Sequence, residues 1–298
     1  MRTAFFLIAD ALLASAGSAQ DAVPVLAPAA VVSRFAADEA KQGVAVDAQY
    51  FYPMSNNRIG KYDKKTGKRV AEWEGPRALY PHMNSCVVGR AELVCAASNY
   101  PAVPMSSAVE VFDTRTLRHL RSVSLPPMTG SLTWIERHGD AWFAGYANYP
   151  EARGGEPGHD HRWTLLVRFD SQFRSTGSWH FPDSVLARFA PMSCSGGSWG
   201  DDGLLYVTGH DRPELYALRL PEAGSVLEHV ATVPLSTGGQ AITWDRSSPR
   251  ILWSLDRQTK NVVASRVPVI TPLSPAEPVR RNSEAARCGT NRQCPPVT

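Results

Sequence analysis

Residues 130–146 read Gly130-Ser131-Leu132-Thr133-Trp134-Ile135-Glu136-Arg137-His138-Gly139-Asp140-Ala141-Trp142-Phe143-Ala144-Gly145-Tyr146, and after a long polar loop the chain resumes as Leu165-Leu166-Val167-Arg168-Phe169-Asp170. Two apolar runs stand on either side of a polar turn, and a third run ends in an aromatic residue followed by aspartate. Runs of this length, rich in Val, Leu, Phe, Trp and Tyr and bounded by Gly and Asp, are strands. A further short run at Ser178 to Phe181 completes a cassette of four.

Working outward, the cassette recurs. One unit runs from Gln42 to Trp73, a second from His82 to Leu125, a fourth from Ser195 to Pro234 and a fifth from Gln240 to Val267. The third strand and its exit echo most clearly, as Lys61-Tyr62-Asp63, Val111-Phe112-Asp113 and Arg168-Phe169-Asp170. An aspartate there suits a turn because its carboxylate accepts backbone N–H bonds. Almost nothing has the period and length of a helix. Four-strand units repeating every 40–60 residues or so predict an all-β fold, a five-bladed β-propeller. The fifth unit lacks an outer strand, and Val31 to Phe35 can supply it, closing the ring and removing an exposed edge. A β-sandwich is the alternative, but its strands do not repeat as a four-strand cassette. The expected division is a signal peptide over 1–19, a linker over 20–30, the propeller over 31–268 and a flexible tail over 269–298.

The strand-Asp-turn exits at Asp63, Asp113 and Asp170 resemble those of the NHL-, YWTD- and YncE-like propellers. Ser98-Asn99-Tyr100-Pro101, Gly130 to Trp134 and Gly209-His210-Asp211-Arg212-Pro213 look like marks of an exported bacterial subset. The resemblance implies a propeller over about Val31 to Pro268. The group includes lactonases, cycloisomerases of the carboxymuconate type, polysaccharide lyases and plain binding scaffolds, so the fold does not choose the chemistry.

Of 298 residues, 43% are hydrophobic and 20% charged, and the formal net charge is only +3. The near balance, with basic residues scattered, gives no electrostatic case for nucleic acid. Arg2, the apolar run Ala4 to Ala14 and the small-residue pairs near Ala16 and Ala19 read as a secretory signal. No other segment is apolar enough for stable membrane insertion. The expected location is periplasmic or secreted, and the expected state a monomer. Cys86 and Cys95 flank the turn at Arg90-Ala91, where an antiparallel hairpin brings Cβ atoms to about 4.5–5.5 Å. They are read either as a cross-strand disulfide, fitting export, or as two buried thiols. Cys288 and Cys294 can close a small loop in the tail. Cys194 is read as a buried small hydrophobe, with a thiol at the site as the alternative.

In a propeller the innermost strands line a central channel, and the loops entering them share a face with the loops between second and third strands. Gln42, His82, Asn84 and Gln240 sit at channel entries. Asn99, Tyr100, Asn148, Tyr149, His159, His161, His210, Asp211, Arg212 and Arg257 sit on second loops. All are expected around one pocket mouth. His82 heads the candidates for acid–base catalysis, since an imidazole titrates near neutral pH; a structural channel histidine is the plainer reading. His210 and Tyr100 are the other catalytic candidates. Arg212 and Arg257 offer anion clamps, with Asp211 beside His210. Asn99-Tyr100-Pro101 and Asn148-Tyr149-Pro150 combine amide hydrogen bonds with an aromatic face, which suits sugars; duplicated turn chemistry is the plainer account. His159 and His161 alternate on one side of an extended segment and offer two ligands to a divalent metal, with His82 or His210 as a third. The loop from Glu151 to Arg162 contains three glycines, as a lid would. No organic cofactor motif is present.

These observations predict an exported propeller that binds a small polar, carbohydrate-like or carboxylate-bearing molecule and acts as a lyase, cycloisomerase or lactone hydrolase. The rival expectations are a non-catalytic ligand- or protein-binding scaffold and a metal-dependent hydrolase.

Overall fold

The computed structural model describes residues 22–270. The signal peptide, the Cys288–Cys294 loop and nearly all of the expected tail lie outside that range. Within it, four blades are antiparallel sheets in simple chain order. Blade one holds β2 (Gly43–Val46), β3 (Tyr50–Ser55), β4 (Arg58–Asp63) and β5 (Arg69–Glu74). Blade two holds β6 (His82–Gly89), β7 (Glu92–Ser98), β8 (Ser107–Asp113) and β9 (His119–Ser124). Blade three holds β10 (Ser131–His138), β11 (Ala141–Ala147), β12 (Leu165–Phe169) and β13 (Ser175–His180). Blade four holds β14 (Gly196–Trp199), β15 (Leu205–Thr208), β16 (Glu214–Arg219) and β17 (Glu228–Pro234).

Blade five joins the chain ends. Its inner strands are β18 (Thr243–Trp244), β19 (Ile251–Asp256) and β20 (Asn261–Arg266), and its outer strand is β1 (Ala30–Ala36), paired with β20 from Ala30↔Arg266 to Ala36↔Asn261. The N-terminal closure expected from the missing strand is therefore present, and it protects what would otherwise be an open edge. The Pro/Ala-rich segment before it runs alongside β17, with Leu26 N–H donating to Thr232 O and Ala29 N–H to Pro234 O.

Five hydrophobic clusters fill the five gaps between neighbouring blades. Val44 and Val46 pack toward blade five while Ala45, between them, packs toward blade two. Leu93 and Cys95 face blade one, and Val94 and Ala96 face blade three. Both faces of each inner sheet are buried, so these strands read as continuous apolar runs rather than alternating ones. The aromatic-Asp exits are β-bulges: the register shifts at Lys61/Tyr62, Val111/Phe112 and Arg168/Phe169. The aspartates then close the turns as anticipated, with Asp63 accepting from Lys65 and Thr66 N–H and Asp113 from Thr116 N–H.

Three elements depart from the sequence expectation. Asp183–Phe189 forms a short helix, α1, which seats Val185, Leu186 and Phe189 in the core between blades three and four. Blade five's innermost strand shrinks to two residues. Ala241 N–H donates to Gln42 O of the next blade instead of to its own sheet. The third unit's outer strand begins at Ser175 and ends at His180, earlier than the run that marked it. Cys86 and Cys95 oppose each other across β6 and β7 and form the disulfide. Cys194 is fully buried and free, and burial pushes its thiol up to about 12. Among the described residues, no helix is long and apolar enough to cross a membrane.

Candidate functional site

At the channel mouth lies a cavity of about 210 Å³. Each blade contributes one uncharged polar side chain from its inner strand or the entry to it: Gln42, Asn84, Thr133, Ser195 and Gln240. His82 joins Asn84 from blade two. The second-to-third-strand loops add Tyr100, Tyr149, His210 and Arg257 from blades two to five, and Met192 enters from the segment after α1. Eight of the residues singled out from sequence therefore line one cavity. At roughly two-thirds of the lower end of the 300–1,000 Å³ that drug-sized ligands occupy, it suits a smaller molecule.

Two β-bulges aim the inner strands. The register of β6 against β7 shifts between Met83 and Ser85, and that of β10 against β11 between Leu132 and Trp134. The unpaired residues are Asn84 and Thr133, and an extra residue at a bulge re-aims its side chain. Asn84 Nδ2 reaches Leu132 O at 2.8 Å, so one amide ties blade two to blade three below the cavity.

His82 Nδ1 lies 3.0 Å from Asn56 Oδ1, which also accepts from Gln42 Nε2 at 3.0 Å. An amide oxygen only accepts, so Nδ1 carries the proton and Nε2 keeps its lone pair. Burial, then the nearby charge of Arg257, holds the imidazole down at about 4, and it is neutral at pH 7. Its ring lies 5.2 Å from that of Tyr100, which lies 5.1 Å from Tyr149. Tyr100 Oη donates to Arg153 O at 2.7 Å, so Tyr100 brings an aromatic face to the cavity while its hydroxyl holds the 151–163 loop. Burial raises the phenol of Tyr149 well above its ordinary range.

Arg257 Nη1 donates to His210 Nε2 at 2.9 Å, and His210 Nδ1 lies 2.5 Å from Asp211 Oδ1. Arg257 is exposed. It is the one charged residue in a wall that holds no carboxylate. Gln240 is 4% exposed, and its Nε2 is a buried donor with no partner. Leaving such a group unpaired costs about 1–3 kcal/mol.

The remaining candidates do other work. Asn99 closes its own loop, donating to Pro104 O and accepting from Ser106 N–H. Asn148 is buried and donates to Trp163 O. Both amides are turn braces, the plainer of the two readings. Asp211 lines a neighbouring groove, and Arg212 is exposed and lines neither space. The metal expectation finds no ligand set: among the described residues no group of three or more His, Cys, Asp or Glu side chains is placed to hold an ion. His159 packs on Trp163 at 4.5 Å, and Asp160 between the two histidines is held by Arg162. The 151–163 loop is pinned to blade two, with Glu156 Oε1 accepting from Met105 N–H. Thr133 shares Asn84's bulge position, and that parallel could have marked it. Nothing in the sequence marks Met192.

No family model matches the chain, and no curated protein matches it. Among solved structures, the chain is similar to the PQQ-bound form of aldose sugar dehydrogenase from Streptomyces coelicolor, at 14% identity with 84% of each chain covered and a TM-score of 0.51. It is also similar to the Cps50 (Swd1) β-propeller domain from Myceliophteria thermophila, at 11% identity over 76% of this chain and 83% of that one, TM-score 0.38. At such identities the likeness concerns the fold, a β-propeller.

Proposed function

We propose that this propeller binds a small hydroxylated carboxylate at its channel mouth and transforms it by general acid–base chemistry, with His82 as proton acceptor. One observation carries the reading: all five blades bring an uncharged polar side chain to one cavity whose single charged wall is Arg257. Amides and hydroxyls suit a polyhydroxylated ligand, and a guanidinium suits its carboxylate. Gln240, one of these five, also carries a buried Nε2 donor without a partner, which marks the residue as one a bound ligand could satisfy by a small shift. The dehydrogenase likeness contributes only the fold.

A carboxylate beside His82 raises its proton affinity, because an opposite charge favours the imidazolium. His82 Nε2 then takes the proton from the carbon next to the carboxylate. The C–H electron pair moves toward the carboxylate, where Arg257 stabilises the enolate-like charge. The pair next forms a C=C bond as a β-oxygen leaves, and that oxygen departs with the proton His82 had taken. Elimination and cycloisomerisation share this first step. In lactone hydrolysis His82 would instead take a proton from water.

A second reading is a binding protein without turnover, in which His82 Nε2 accepts a ligand hydroxyl. The imidazole's value of about 4 favours it, since a general base works best near the operating pH. On either reading the protein acts outside the cytoplasm, where the Cys86–Cys95 disulfide persists. Calorimetric titration with D-glucuronate and with D-glucose, its neutral counterpart, tests both. Tighter binding of the acid supports the cavity's role, and equal binding or none removes it. Release of an unsaturated product from the acid separates enzyme from binder.

A further inference from the structure

A second, larger space adjoins the channel cavity. It is a groove of about 710 Å³ between blades four and five. The two share three walls, His210, Gln240 and Arg257. One side of the groove is the segment Leu235-Ser236-Thr237-Gly238-Gly239, and the other runs from Leu255 to Gln258. The segment packs closely on the blade-four loop: a Cβ on Gly239 would stand 2.1 Å from Gly209 O. Thr237 Oγ1 donates to Ser254 Oγ at 3.0 Å, fixing the two sides to each other. The groove holds Asp211 and Asp256 and shares its only cation with the channel cavity.

We infer that the groove is an extension subsite, so that the ligand has two parts: an anionic head in the channel cavity and a neutral, hydroxyl-bearing extension between blades four and five. The inference rests on the reading of the channel cavity given above. The charges set the direction. Arg257 stands at the junction and draws the anionic group there, whereas Asp211 and Asp256, which line the groove and not the channel cavity, disfavour a second anion in the groove. Gln240 borders both spaces and so stands where the two parts of the ligand join. A head that takes Arg257 Nη1 displaces its partner in the free protein, His210 Nε2.

The test compares D-glucuronate with glucuronate joined glycosidically to one glucose. The wild-type protein is expected to bind the disaccharide at least tenfold more tightly. Ser236→Trp, at an exposed position on one wall, should erase that gain and leave the glucuronate Kd within twofold. Gln258→Trp, on the opposite wall, should do the same, and thermal melts confirm that each variant is folded. A disaccharide no tighter than the monosaccharide overturns the subsite, as does a gain that survives both substitutions. Failure of the wild type to bind either sugar instead removes the channel-cavity reading, and the groove's role falls with it.

Discussion

Arg257 and His210 come from different blades, yet Nη1 of one lies 2.9 Å from Nε2 of the other. A guanidinium donates and never accepts, so the contact fixes His210 as the Nδ1–H tautomer, with that proton directed at Asp211. Nitrogen-15 NMR of the free protein should report this tautomer. Adding glucuronate should shift the His210 Nε2 resonance as Arg257 turns to the carboxylate. An unchanged His210 spectrum at saturating ligand contradicts the exchange.

Arg257→Ala should weaken glucuronate binding about 10- to 100-fold. That is the equivalent of roughly 1.5–3 kcal/mol for a hydrogen bond to a charged group. Glucose binding should stay within a few-fold, because the neutral sugar makes no ion pair. Calorimetry on both sugars measures the difference.

His82→Ala should abolish turnover while leaving ligand affinity within a few-fold and the melting profile cooperative. His82→Gln keeps a polar group but no titrating base, and should be equally inactive. Residual turnover in either variant above one part in a hundred assigns the proton transfer to another group.

His82 and His229 are both held near 4 chiefly by burial. Above about pH 6.5 each is neutral whether folded or unfolded, so their full contribution to stability is present. As pH falls from about 6.5 to 4 the unfolded chain binds protons that the folded one refuses, and stability declines. The loss is on the order of 2 kcal/mol per histidine by pH 4. Urea unfolding across that window should show the decline, and His82→Asn should flatten part of it. A pH-independent midpoint in the wild type refutes the account.

Trp134 is wedged between blades three and four. A Cβ on Gly145 would stand 2.1 Å from its Nε1, and one on Gly197 would stand 2.3 Å from its Cε2. Gly145→Ala and Gly197→Ala should each cost on the order of 1–3 kcal/mol through overpacking. Gly89→Ala, whose Cβ meets nothing within 4 Å, should be near neutral. Denaturant midpoints of the three variants decide it.

The sequence carried the architecture because a propeller is local. Each blade is consecutive strands joined by short turns, and its signals are a strand's apolar run and the aspartate that closes a turn. Asp63, Asp113 and Asp170 could therefore be read as repeats, and the blade lacking an outer strand pointed to the N-terminal run that completes it. The same regularity placed His82, Tyr100, His210, Gln240 and Arg257 on one rim, since loop position in the cassette fixes which face a residue joins. Tertiary structure alone decided what each does there. Asn99 and Asn148 share the loop positions of Tyr100 and Tyr149, but backbone groups of their own loops occupy their amides. His159 and His161 have the spacing of metal ligands, but no third ligand from another segment meets them among the described residues. The partner that fixes His210's tautomer and the amide of Asn84 that reaches Leu132 O both depend on contacts between blades. Such contacts join residues far apart along the chain, and no local pattern encodes them.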